Sequence, residues 1–325
     1  MDKLATKYMG LKLKNPIIVG SCDLSNSVEK IKRIEKAGAA AVVLKSIFEE
    51  QIMSEAKSLR SHSKHTEEYD YINNYIRAHN LDDYIHLIEN AKQEVNIPII
   101  ASINCSTPSE WVNYIKKIQK HGADAIELNV FIIPGDINKD GRQMENIYFD
   151  IVRKVKKVAN IPVSIKLSSY FSGLANFVDK LSILRLDGIV LFNRFYNPDI
   201  DIHKMEFTST TSYSTSRELS QPLRWIGILS DKIETDLVAS TGVHTGEDAV
   251  KCLLAGAKAV EVVSVLYQKK IEEIENILTD IFNWLDQSHF DDISQVIGKM
   301  SKPQIQDPSV YERAQFIKYF HKRQV

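Results

Sequence analysis

The sequence predicts an α/β fold, a TIM (β/α)8 barrel with inserted loops at the C-terminal face and a short C-terminal helical tail. Three observations lead there. First, about eight short apolar runs alternate with helical patterns along the 325 residues, the strand–helix count of a barrel. Second, the turns from helix to strand recur. Gly-Ala-x-Ala-(Val/Ile) stands at Gly38 to Val42, Gly122 to Ile126 and Gly256 to Val260, and Asn-Ile-Pro at Asn96 to Pro98 and Asn160 to Pro162. These are a glycine stop and a proline stop, each leading into an apolar run. Third, residues 236–267 read strand, tight turn, helix, strand. An open doubly wound sheet is the alternative, but no GxGxxG follows the first strand. We expect one domain over 1–325, with the barrel at about 15–286 and the tail at 287–325.

Taken in order, the expected strands are Ile17 to Gly20, Ala41 to Lys45, Ile97 to Ser102, Ala125 to Asn129, Pro162 to Leu167, Gly188 to Phe192, Leu237 to Ser240 and Ala259 to Ser264. The helices between them show apolar faces at i, i+3, i+4 and i+7. Leu81, Tyr84, Ile85 and Ile88 share one face. Trp111, Tyr114, Ile115 and Ile118 share another, in a helix opened by Thr107-Pro108-Ser109-Glu110 with proline at the first helical position. Ile271, Ile274, Leu278 and Ile281 mark the last barrel helix. Two connections are long, 46–80 and 193–221, and long loops at the C-terminal face commonly build a substrate site; for parts of 55–70 an unstructured surface loop is an equal reading. In the tail, periodicity returns only from Val310 to Phe320.

The 236–267 unit organises the rest. Leu237 to Ser240 is a buried strand broken by Thr241-Gly242. Thr245-Gly246-Glu247-Asp248 reads as a capping box, with Thr245 accepting from the amide of Asp248 and the carboxylate reaching back. Gly256 suits the left-handed residue that ends a helix. A second strand then runs from Ala259 towards Ser264. Two parallel strands ending side by side, with Gly242 admitting close approach, make a natural phosphate site. A plain βαβ crossover accounts for this stretch equally well.

Composition narrows the function. The chain is 44% hydrophobic and 26% charged with a formal net charge of −1, so a large core is available and there is no electrostatic case for nucleic acid or a membrane surface. The first residues lack the apolar core of a signal peptide, and no run reaches the ~20 apolar residues of a membrane span. Cys22, Cys105 and Cys252 are far apart and lack CxxC spacing, which fits a reduced cytoplasmic protein with no metal site.

Polar residues stand at strand ends where the apolar pattern predicts none: Lys45-Ser46, Asn104-Cys105, Asn129, Lys166 and Asn193. A lysine inside a barrel strand is expensive unless it faces a polar partner. Singly, each could be a snorkelling lysine or a helix-capping asparagine. As a set beside the phosphate-like turn they suggest an anionic, planar, hydrogen-bonding ligand.

These residues make the chain resemble the dihydroorotate dehydrogenase family of barrels that carry flavin mononucleotide (FMN). The resembling stretches are Asn15-Pro16 with Gly20-Ser21; Lys45-Ser46; Tyr71-Ile72-Asn73; Glu127-Leu128-Asn129 followed by Pro134-Gly135; Lys166-Leu167; Asn193; Thr241-Gly242 with Thr245 to Ala249; and Val263-Ser264. The resemblance implies that Gly20, Ser21, Lys45, Ser46, Asn129, Lys166, Thr241, Gly242, Val263 and Ser264 hold FMN. It implies that Asn73, Asn129 and Asn193 orient the substrate, that Lys45 bridges substrate and ring, and that Lys166 lies at the ring and favours its reduced form. Hydride would pass between a small-molecule substrate and the flavin, and an electron acceptor would reoxidise it. A cytoplasmic homodimer without nucleic-acid or membrane partners, working in pyrimidine biosynthesis, is the family role.

The departures are specific. Where the family places a Cys or Ser base between ELN and PG, this chain reads Val130-Phe131-Ile132-Ile133, shorter and wholly apolar, so the base is unknown; Cys105 is the nearest alternative. Arg194 replaces a small hydroxyl residue, and no glycine occurs between Gly188 and Gly227. The cofactor half is kept and the substrate half is not. The chain therefore reads as an FMN-dependent dehydrogenase acting on a CH–CH group, of dihydroorotate or a related molecule. The rivals are a flavin-binding protein without dihydroorotate turnover, and an FMN enzyme with another substrate. A tRNA dihydrouridine synthase-like enzyme is disfavoured by the neutral charge and short tail.

Overall fold

The computed structural model describes residues 2–48, 66–104, 108–195, 197–209 and 212–312. Eight parallel strands form the centre: β1 (Ile17–Val19), β2 (Ala41–Val43), β3 (Ile99–Asn104), β4 (Ala125–Asn129), β5 (Val163–Leu167), β6 (Gly188–Leu191), β7 (Asp236–Ser240) and β8 (Ala259–Val262). They pair in the order β2-β1-β8-β7-β6-β5-β4-β3, and β2 also pairs with β3, which closes the barrel. The closing register sets Val42 opposite Ile99 and Val43 opposite Ile100. Ile47–Phe48 adds a short extension along β3.

Helices alternate with the strands: α1 (Val28–Lys36), α2 (Thr66–Glu94), α3 (Pro108–Lys120), α4 (Gly141–Lys156), α5 (Leu174–Ile183), α6 (Ser220–Leu229), α7 (Gly246–Ala255), α8 (Ser264–Lys269) and α9 (Glu273–Gln287). Their starts are dictated locally. Ser27 accepts from the amide of Lys30 at the head of α1, and Asp140 forms a full capping box with Gln143 at α4. At α7, Thr245 accepts from the Asp248 amide at 3.1 Å as the sequence predicts. The Asp248 carboxylate does not reach back to Thr245. It accepts instead from the His244 amide and the Ser216 hydroxyl; aspartate is one methylene shorter than the glutamate that closes a capping box. Gly256 ends α7 with φ of +119°, the left-handed geometry expected of it.

Most strand ends differ from the sequence reading by a residue or two, and three of the differences have a clear local form. β2 stops at Val43, so Lys45 and Ser46 lie beyond the ladder. β3 begins at Ile99 because Pro98 has no N–H to give, although its carbonyl accepts from Val42. β8 stops at Val262: Val263 leaves the extended region, with φ −141° and ψ −67°, and Ser264 becomes the first residue of α8.

The helical faces read from the sequence pack as expected, with Leu81, Tyr84, Ile85, Ile88, Trp111, Tyr114, Ile115 and Ile118 all buried between barrel and helices. Beyond α9 the chain folds back. Ile293 and Val296 join the main core, and the amides of Gly298 and Met300 bond to the carbonyls of Leu253 and Leu254 at the end of α7. Ser309–Glu312 is helical; the rest of the helix expected over Val310 to Phe320 lies outside the described residues.

A second core cluster fills the N-terminal end of the barrel. A hairpin of Thr6–Tyr8 and Leu11–Leu13 inserts Tyr8, Met9 and Leu13 against Ile18, Ala41, Ile100, Ala125, Val190, Val238 and Ala259. The inward-facing residues become polar toward the other end, where Ala125 gives way along β4 to Glu127 and Asn129, and Ala259 along β8 to Glu261. The apolar plug keeps water from entering below, so the polar layers open only at the C-terminal mouth.

The plug fits tightly. A Cβ on Gly188 would lie 2.6 Å from the Tyr8 ring. Gly188→Ala should therefore destabilise the fold by about 1–3 kcal/mol, the usual range for overpacking, read from the shift of the denaturant midpoint; an unchanged midpoint would show that the plug can yield.

Candidate functional site

A cavity of about 600 Å³ opens at the C-terminal mouth of the barrel, within the size range of cofactor and ligand sites. It is lined by Ser21, Lys45, Ser46, Asn129, Lys166, Asn193, Thr241, Gly242, Val263 and Ser264, all residues expected there from the sequence, and also by Cys22, Asp23, Phe131, Arg194, Ser214, Glu261 and Tyr267. Gly20 lies just behind this lining, its amide bonded to the Val262 carbonyl. Asn73 lies on α2, and its side chain is outside the described residues, as is Cys105.

A continuous hydrogen-bond chain crosses the mouth. The Ser46 amide donates to Ser21 Oγ at 2.9 Å. Ser46 Oγ lies 2.6 Å from Ser102 Oγ and receives Asn129 Nδ2 at 3.2 Å. Asn193 Nδ2 donates to Asn129 Oδ1 at 2.7 Å. Residues from five different strands or their ends are thereby locked in one orientation. Ser46 is fully engaged, so its role is to hold Asn129. Asn193 keeps its amide oxygen and one N–H toward the cavity. Ser102 is invisible to sequence reasoning, because a small hydroxyl in an apolar run is a common and uninformative signal.

Below this chain sit three ionisable groups. Lys166 Nζ donates to Glu261 Oε2 at 2.6 Å, with side-chain exposures of 8% and 1%. Glu127 is buried beside them, and among the described residues its Oε1 has no hydrogen-bond partner. Burial, and then the neighbouring Glu261 charge, push the Glu127 carboxyl well above the usual carboxylate range. Burial alone would lower the Lys166 ammonium, but the two carboxyl groups outweigh it and the net shift is upward. Lys166 thus stands where the sequence places it, but already paired. Glu261 is absent from the residues expected at the site, although a carboxylate within the apolar run Ala259 to Val263 carries the same signal that singles out Lys166.

The second lysine is paired as well. Lys45 Nζ is 2.6 Å from Asp23 Oδ1, and both side chains are largely exposed. Because β2 ends two residues earlier, Lys45 reaches across the rim instead of lying in the barrel. On the opposite wall the apolar segment stands as expected: Val130 is buried, and Phe131 stacks on Phe195 with centroids 4.0 Å apart. Arg194 Nε is held by Glu218 at 2.9 Å.

The far end of the cavity is rich in hydroxyls. Ser264 Oγ accepts from the Ser214 amide at 3.0 Å, which leaves its own proton for an anion. Ser214 Oγ lies 3.0 Å from His244 Nε2, a pair with no local signature in the sequence. The Thr241 hydroxyl is spent on the Phe192 carbonyl, so only its backbone remains for a ligand. Gly242 has φ of +86°, and a Cβ there would lie 2.3 Å from the Leu219 amide nitrogen; no other residue fits. With hydroxyl donors at one end, a buried ammonium in the floor and apolar walls between, the residues present fit a flavin that carries a phosphate. Among the described residues no cluster of His, Cys, Asp or Glu is placed to hold a metal ion, and no helix is long and apolar enough to cross a membrane.

The raised Glu127 carboxyl has a consequence for stability. Its folded affinity for a proton exceeds its unfolded one, so the protonated group favours folding at low pH. That advantage is lost as pH rises from about 4.5, the ordinary carboxylate value, toward the raised folded value. Glu127→Gln removes this dependence. Its stability relative to the wild type should improve by up to about 1.4 kcal/mol per pH unit across that window, measured by urea unfolding at several pH values; parallel pH profiles for the two proteins would show that Glu127 folds ionised.

Comparison with known proteins identifies the family. The family model for dihydroorotate dehydrogenase matches residues 3–285. The chain is 28% identical over 308 residues to the dihydroorotate dehydrogenase B (NAD(+)) catalytic subunit of Thermoplasma acidophilum, covering 92% of this chain and 99% of that one. The proteins of the same name from Methanocaldococcus jannaschii and Pyrococcus abyssi are 25% and 28% identical over 311 and 300 residues, covering 91% of this chain in each case and 97% and 98% of theirs. Nearly full-length agreement on both sides, over a closed barrel with this mouth, leaves one conclusion: the chain belongs to the dihydroorotate dehydrogenase family, whose members are flavin-dependent oxidoreductases acting on CH–CH groups.

Proposed function

We propose that this protein is an FMN-dependent dehydrogenase that oxidises dihydroorotate slowly, or a related and less polar molecule efficiently. The observation that carries the reading is the fixed polar chain Ser46–Asn129–Asn193 above the Lys166–Glu261 pair. Ser264, Ser214 and the backbone at Thr241-Gly242 would hold the FMN phosphate, with Lys166, Asn129 and Ser21 along the ring. Bound FMN would supply the two-electron chemistry. Asn129 and Asn193 orient the substrate through amide groups whose rotamers are already set, so little ordering cost remains at binding. Phe131, Phe195 and Tyr170 form an aromatic cluster that keeps water from one wall.

Oxidation of a CH–CH bond removes hydride from one carbon and a proton from its neighbour. Among the described residues of the cavity none is a ready base. Asp23 is paired to Lys45 at the rim, and burial pushes the Cys22 thiol up so that it stays protonated. A positioned base contributes roughly 10²- to 10⁴-fold to such a step. The Phe131–Phe195 stack favours a substrate with an apolar face at that position. The reading also includes a cytoplasmic location and a homodimer. The exposed hairpin of Pro198–Asp201 and Glu206–Ser209, which presents Ile200 and Phe207, supports an interface. The relatives are named catalytic subunits, and by analogy a second subunit would carry electrons to the acceptor.

Two outcomes follow. The purified protein should be yellow and release FMN, not FAD, on denaturation; a colourless protein that takes up no added FMN would end the reading. With dihydroorotate and a dye acceptor, turnover should fall below the roughly 1–10³ per second common among enzymes, and Phe131→Cys should raise it; wild-type turnover within that range would show that a base outside the described residues serves.

A further inference from the structure

We propose that Glu127 and Glu261 together carry a single negative charge that cancels Lys166, so that the floor of the cavity presents a neutral, proton-sharing triad to the flavin instead of a free cation. The inference rests on the proposed binding of FMN and adds two positioning residues to it.

Geometry carries the argument. Three ionisable groups come from three separate strands, Glu127 from β4, Lys166 from β5 and Glu261 from β8, and all are buried. Lys166 and Glu261 are joined at 2.6 Å. Glu261 uses the space beside Gly20: a Cβ there would lie 2.9 Å from Glu261 Oε2 and would crowd the carboxylate. Beneath the triad the plug residue Tyr8 is buried, and among the described residues its hydroxyl has no hydrogen-bond partner; the apolar plug around it brings no cation to balance the carboxylates from below. The remaining titratable neighbour, Cys22, is held as a thiol by burial.

With both carboxylates ionised the triad would hold a net charge of −1 with no counter-ion, in a region closed to water on one side. Uncompensated buried charge is avoided by keeping a proton. Glu127 is the carboxyl without the ammonium's hydrogen bond, since Lys166 donates to Glu261, and it is Glu127 whose proton is held more tightly than usual. A cation facing a flavin favours electron uptake, because it stabilises the negative charge that reduction places on the ring. A neutral triad withdraws that help and makes the bound flavin the more reducing. Glu127 and Glu261 are therefore positioning residues: they act on the cofactor through Lys166.

The test uses the flavin-loaded protein and two readouts that need no substrate. One is the affinity of the bound flavin for sulfite, whose addition leaves negative charge on the ring. The other is the reduction potential. Glu127→Gln replaces a protonated carboxyl by its neutral isostere and should alter sulfite affinity less than about threefold, a change within ~1 kcal/mol. The double variant Glu127→Gln, Glu261→Gln frees the Lys166 charge; sulfite should bind at least about tenfold more tightly, and the potential should rise by about 30 mV for each tenfold change in a two-electron equilibrium. The double variant is needed because, with Glu261 alone replaced, Glu127 can ionise in its place. A double variant that binds sulfite like the wild type overturns the proposal, as does a single Glu127→Gln change that produces the whole effect. An infrared spectrum of the wild-type protein guards against a double variant that does not fold: it should show a protonated-carboxyl band that Glu127→Gln removes, and the absence of that band at neutral pH overturns the shared proton. A wild-type protein that binds no flavin would defeat the proposed function together with this inference, whereas a flavin-loaded protein insensitive to the double change defeats this inference alone.

Discussion

The interaction on which the site depends is the buried bond between Lys166 and Glu261. A barrel interior is a low-dielectric place, and an ion there must be paired and hydrogen-bonded or give up its charge. That requirement explains several otherwise unconnected features. A side chain at Gly20 would crowd the Glu261 carboxylate. Glu127, buried beside Glu261, has its carboxyl pushed above the usual carboxylate range by burial and then by the Glu261 charge. The N-terminal hairpin seals the lower end with Tyr8, Met9 and Leu13, so the triad cannot be hydrated from below. Breaking such a pair by removing one partner commonly costs about 3–5 kcal/mol, which gives the pair a structural weight of its own.

Above the triad the mouth divides into two halves of different chemistry. One half is polar: serine and asparagine side chains cross-linked along the strand ends, hydroxyls at Ser214 and Ser264, and a glycine at 242 that no side chain could replace. The other half has an apolar wall and charges tied to one another. Phe131 is 42% exposed and stacked on Phe195, Arg194 is tied to Glu218, and Lys45 turns to Asp23 at the rim. Under the proposed function the polar half seats the flavin and the apolar half faces the substrate, on loops that can change without disturbing the scaffold.

Much of this arrangement is legible in the amino-acid sequence. Strand and helix positions follow from periodicity and from the glycine and proline stops, because each depends on residues a few positions apart. Lys166, Asn129, Ser46 and Asn193 stand out as polar interruptions of apolar runs, and the structure brings all four to one cavity. Pairing across the barrel is not legible. Lys166 and Glu261 are 95 positions apart, and Ser214 meets His244 across 30; neither contact has a local signature. The pairing of Lys45 is hidden for a related reason. Its run looks strand-like to its end, but the barrel register stops at Val43, and an aspartate from the preceding loop then determines where the ammonium goes. The same limit hides the diversion of the Asp248 carboxylate to Ser216, which comes from a loop the helix cap itself does not predict.

The central claim is that the floor triad and the polar chain together form the seat of a flavin ring. A crystal structure of the protein as purified tests this most directly. The account predicts FMN in the barrel mouth, its ring within hydrogen-bond distance of Lys166 Nζ, Lys166 still joined to Glu261, and the phosphate at Ser214 and Ser264. A flavin bound elsewhere, or a ring at the mouth with Lys166 turned away from both it and Glu261, would contradict it.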